Sequence, residues 1–103
     1  MIEIIFSKLS VNEYELKIKG HSCSAEKGEN IICAAVSVLA QTFISGCEAK
    51  LNAKVLGILE SGNCDVRVSV PDTKAKELHA VYDVINFGFR KLVESYPKHI
   101  KLN

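Results

Sequence analysis

The chain has 103 residues, 48% of them hydrophobic and 24% charged, which suits one domain with a single core and argues against a disordered or membrane-embedded chain. Thirteen basic and twelve acidic residues leave a formal charge of +1 with no basic run to track a phosphate backbone, so neither nucleic acid nor a membrane is an expected partner. The opening MIEIIFSKL lacks the basic region and long apolar run of a signal peptide, so the expected compartment is the cytoplasm.

In Met1 to Leu9, Ile2, Ile4 and Phe6 share one parity with Glu3 and Ser7 opposite, the pattern of a half-buried strand. Ser10-Val11-Asn12-Glu13 supplies a turn, and Tyr14, Leu16 and Ile18 then alternate with Glu15, Lys17 and Lys19, which predicts a hairpin. The polar stretch Ser22 to Gly28 reads as a loop able to act as a lid. From Asn30, a residue type favoured at the helix N-cap, to a C-cap at Gly46, the chain is apolar almost all round and predicts a helix buried on several sides. A second hairpin is predicted from Lys50–Leu59 and Cys64–Val70 about the turn Ser61-Gly62-Asn63. Pro71-Asp72 opens a last helix whose seam is Ala75, Leu78, Tyr82, Ile85, Phe89, Leu92 and Tyr96, and Pro97 ends it, leaving a tail fit for a short extended segment. The expected class is α+β in ββαββα order. Two helices would cover one face of a mainly antiparallel four-stranded sheet in a two-layer domain of residues 1–103.

The chemistry concentrates between Gly20 and Ser37. His21 follows a strand, and Cys33 falls in the first turn of a helix that starts at Asn30. There, unpaired backbone N–H groups and the helix dipole would stabilise a thiolate and an oxyanion on an attacked carbonyl, and an imidazole would take the thiol proton. Cys33, Ser37 and Gln41 recur every fourth residue as a narrow polar stripe. Ser37 either contacts substrate or nucleophile or simply bonds back to the Cys33 carbonyl. Cys23 is the rival nucleophile, without a helix N-terminus to activate it. Cys47 and Cys64 read as structural, and His79 and His99 as solvated surface residues. The four cysteines show no CxxC spacing, and His21-x-Cys23 has no second ligand pair nearby, so neither metal nor cofactor is expected.

Gly20-His21 followed by Gly28-Glu29-Asn30-Ile31-Ile32-Cys33-Ala34-Ala35-Val36-Ser37 resembles the signature of the bacterial ribosomal-processing cysteine proteases. The resemblance implies that His21 and Cys33 are a catalytic dyad, with Gly20, Asn30 and Ser37 as supporting or substrate-proximal residues. It also implies a homodimer, and as substrate a large-subunit ribosomal protein whose short N-terminal extension is cut off after an aromatic residue. Asn30 departs from the family pattern, which has Asp there. Two other readings compete: a non-catalytic ribosome-associated interaction dimer, and a thiol redox sensor using Cys23 and Cys33.

Overall fold

The computed structural model describes residues 1–20, 27–60 and 63–103, with residues 27–30 described by their backbone alone. Alternation builds the sheet as the sequence predicts. In β1 (Ile2–Ser10), β2 (Glu13–Lys19) and β4 (Asn63–Ser69), Ile2, Ile4, Phe6, Tyr14, Leu16, Ile18, Cys64, Val66 and Val68 are buried on one face. The opposite face carries cross-strand partners of opposite charge, among them Glu3 with Lys19, Lys17 with Asp65 and Glu15 with Arg67. β1 and β2 form the first hairpin, β3 (Lys54–Glu60) and β4 the second, and antiparallel pairing of β2 with β4 joins them.

The sheet has five strands where the sequence reading expects four. After Pro97 the chain turns back, and β5 (Ile100–Leu102) pairs in parallel with Ile2–Ile4 of β1. The order is β3-β4-β2-β1-β5, so the sheet is mixed rather than purely antiparallel. The free edge of β1 is the physical reason, since its unpaired backbone groups need partners and the tail supplies them.

Two helices cover the buried face. Helix α1 (Lys27–Leu51) starts three residues before the predicted cap, so Asn30 lies inside it, and so do Lys27 and Gly28 of the predicted lid. It also runs through Gly46 and ends at Leu51, where Asn52 takes a left-handed φ of 54° and the Ala53 N–H donates to the Cys47 carbonyl at 3.1 Å. Asn supplies the terminating conformation that Gly46 was expected to give. By length and composition Ile31–Leu51 could cross a bilayer, with a mean hydropathy of 1.6. Here it is the core helix, pressing Ile32, Val36, Ala40, Phe43, Ile44, Cys47 and Leu51 on the sheet while Ile31 and Val38 remain 62% exposed. It is therefore buried on one side only.

A single 3-10 turn (Asp72–Lys74) leads into α2 (Ala75–Ser95), which buries Leu78, Ile85 and Phe89 along the predicted seam. Phe6 is its main contact in the sheet, with ring centroids 5.6 Å from Phe89 and 4.5 Å from Tyr82, and 4.8 Å from Phe43 of α1. The Tyr82 hydroxyl donates to the Phe6 carbonyl at 3.0 Å, closing the β1 edge just beyond the end of β5.

Candidate active site

Cys33 sits at one end of the two-layer sandwich. A cleft of about 290 Å³ is lined there by Ile32 and Cys33 of α1, Gly20 at the end of β2, Met1 and Ile2 at the start of β1, and Lys98 and His99 ahead of β5. The antiparallel register, with Glu3 opposite Lys19, places the end of β2 beside the start of β1. β5 then adds its own start on the other side of β1. Three separate parts of the chain thus converge on the first turns of α1.

Gly20 is fixed by two constraints. Its φ of +77° is a conformation that L side chains rarely adopt, and a Cβ there would lie 2.2 Å from the Met1 carbonyl oxygen. Backbone packs directly on backbone at this wall of the cleft, and the next residue in the chain is His21.

Cys33 is buried, 1% exposed, yet lines the cleft. Because α1 starts at Lys27, Cys33 belongs to the second turn rather than the first, and the amides without a helical partner all precede residue 30. The dipole effect falls off within the first turn, so it acts on Cys33 less than the sequence reading assumed. Ser37 is half-buried and Gln41 exposed, so the predicted stripe runs from the core outward instead of along a polar surface.

Of the expected site residues, the structure brings together Cys33 and Gly20, and sets Ser37 one helical turn beyond Cys33. Asn30 is within the helix. His21, the rival Cys23 and residues 22–26 of the predicted lid lie outside the described residues. Lys98 and His99 line the cleft although the sequence reading did not place them there. The signal that bears on them is Pro97 followed by the alternating Ile100 and Leu102, which marks a turn and a strand but not the strand's partner.

Cys47 and Cys64 are buried thiols whose pKa is pushed by desolvation from 9.0 to about 11, with Asp65 adding to the effect at Cys64. They remain protonated at neutral pH, as their structural reading requires. His79 is not simply solvated: its Nδ1 lies 2.6 Å from the Tyr14 hydroxyl and its Nε2 3.4 Å from Asp83 Oδ2. Burial and, second, the Asp83 charge raise the Tyr14 pKa, so the phenol keeps its proton, and the imidazole tautomer sets which of the two donates. Among the described residues no group of His, Cys, Asp and Glu is placed to hold a metal ion.

The family model for Cysteine protease Prp matches residues 1–101. The Ribosomal processing cysteine protease Prp of Mycoplasma genitalium is 28% identical over 102 residues, covering 93% of each chain. A crystal structure from Streptococcus mutans has a TM-score of 0.83 at 20% identity, covering all of this chain and 92% of its own. An essential ribosomal processing protease Prp from S. aureus, solved with a substrate peptide, has a TM-score of 0.79 at 16% identity, covering all of this chain and 98% of its own. The same S. aureus protease with a covalently linked product peptide gives a TM-score of 0.76 at 17% identity, with the same coverage.

Proposed function

Because the chain belongs to the Cysteine protease Prp family, we propose that it removes the N-terminal extension of a large-subunit ribosomal protein, with Cys33 as nucleophile and His21 as general base. His21 takes the thiol proton, and the Cys33 thiolate attacks the carbonyl carbon of the scissile peptide bond. The imidazolium returns the proton to the leaving amine, and water then hydrolyses the acyl-enzyme. One observation carries this assignment: Cys33 and Gly20, the chain neighbour of His21, line a single cleft. As the helix amides lie a turn away, the base does most of the work of activating the thiol. Asn30 and Ser37 are supporting positions.

We place the reaction in the cytoplasm, where thiols stay reduced, and in a homodimer. Exposed apolar side chains on the outer helical face, Val38 of α1 with Val84 and Phe87 of α2, favour the dimer. The test is incubation with a peptide spanning the extension and its aromatic residue, with products read by mass spectrometry. Wild type is expected to make one cut. Cys33→Ala and His21→Ala should make none while melting like wild type, and Cys23→Ala should keep most activity. A fully active Cys33→Ala protein would sink the dyad.

A further inference from the structure

Lys98 and His99 line the Cys33 cleft on a turn tied by three backbone hydrogen bonds. The Ile2 N–H donates to the His99 carbonyl at 2.8 Å, and the His99 and Ile100 N–H groups both donate to the Tyr96 carbonyl, at 3.0 and 3.2 Å. Both residues are exposed, and neither side chain forms an ion pair or hydrogen bond among the described residues. No acidic residue lines this cleft among the described residues either. An ammonium with no counter-ion among the described residues, in the cleft that holds Cys33, is suited to receive an anion through charge-assisted hydrogen bonds. The imidazole adds an N–H donor in either protonation state.

Resting on the proteolytic reading above, we propose that Lys98 and His99 are specificity-determining residues that bind a carboxylate of the peptide in the Cys33 cleft. Hydrolysis supplies one such group. Water adds its oxygen to the acyl carbon, the carbon–sulfur bond breaks, one of the water protons goes to the thiolate and the other to solvent, and the product is left with a new C-terminal carboxylate beside Cys33. An Asp or Glu side chain of the substrate is the other source of the same chemistry.

Calorimetric titration of the Cys33→Ala protein tests this with the peptide of the extension, ending at its aromatic residue, as free acid and as C-terminal amide. The acid should bind about tenfold more tightly than the amide, the size of effect expected of a charge-assisted hydrogen bond. Adding Lys98→Ala should abolish that preference, Lys98→Arg should keep it, and His99→Ala should reduce it. If amide-capped peptides instead distinguish Glu from Gln in a Lys98-dependent way, a side-chain carboxylate is the ligand and the proposal stands. Equal affinity for all peptides whatever occupies position 98 overturns it. Wild-type cleavage assays run beside the titrations keep the two readings apart. Cutting without any carboxylate preference overturns this inference alone, and a Lys98-dependent preference without cutting overturns the proteolytic reading alone.

Discussion

Replacing Gly20 or Gly46 with alanine should have opposite effects, because one glycine is demanded by its surroundings and the other is not. Gly20→Ala puts a methyl group against the Met1 carbonyl in a left-handed backbone, and should cost on the order of 2–4 kcal/mol in urea unfolding and impair cleavage. Gly46 lies inside α1 with nothing within 4 Å of an added Cβ, so Gly46→Ala should stabilise by about 0.5–1 kcal/mol. The buried thiols give a pH prediction. Cys47 and Cys64 have folded-state values of about 11, above the 9.0 they have when exposed, so the unfolded chain releases these protons first as pH rises. Stability should be full below pH 9.0 and fall until about pH 11, by roughly 2–3 kcal/mol for each thiol, and Cys64→Ser melts should show a shallower fall. At neutral pH both should resist iodoacetamide. Cys33 was legible in the sequence because its neighbours form a specific block. Lys98 and His99 were not, because nothing local to them says which strand the tail will meet.

At the scale of elements, the start of α1 is a measurable correction. With Asn30 at an N-cap, Asn30→Ala would cost about 1 kcal/mol. With the helix starting at Lys27, that loss disappears and the higher helix propensity of alanine should leave stability unchanged or slightly raised in a thermal melt. The misreading has a physical source. Lys27 and Glu29 are good helix formers, but the glycine between them and the polar residues before them look like loop. The opposite end was misjudged for a related reason, since a mid-helix glycine costs only about 1 kcal/mol and the apolar face carries the helix past it. α2 was legible throughout, its seam being unbroken, but its anchors were not. Tyr14→Phe should cost about 1 kcal/mol through the lost bond to His79, and His79→Ala should cost less once Tyr14 is already Phe than it does in wild type.

For the whole molecule, the α+β class and both hairpins followed from alternation, because each strand with a clear pattern is buried on one face only. The extended tail segment was legible after Pro97, but its place as a fifth strand of the sheet was not, because its partner is far away in sequence. The proposed dimer is tested by sedimentation: wild type should be dimeric at micromolar concentration, and Phe87→Asp should shift it toward monomer without lowering the helix content. The parallel pairing of Ile2–Ile4 with Ile100–Leu102 also bears on how the molecule assembles. The hairpins and helices close short loops, whereas β5 must bring together segments from the two extremes of this sequence and is fixed by only a few residues. The wall of the cleft is then the last part to form and the first to fray. In refolding, circular dichroism should recover ahead of peptide binding, and in native-state hydrogen exchange the amides of β5 should open well before those of β2 and β4. Secondary structure would be complete in a population of molecules that cannot yet hold a substrate.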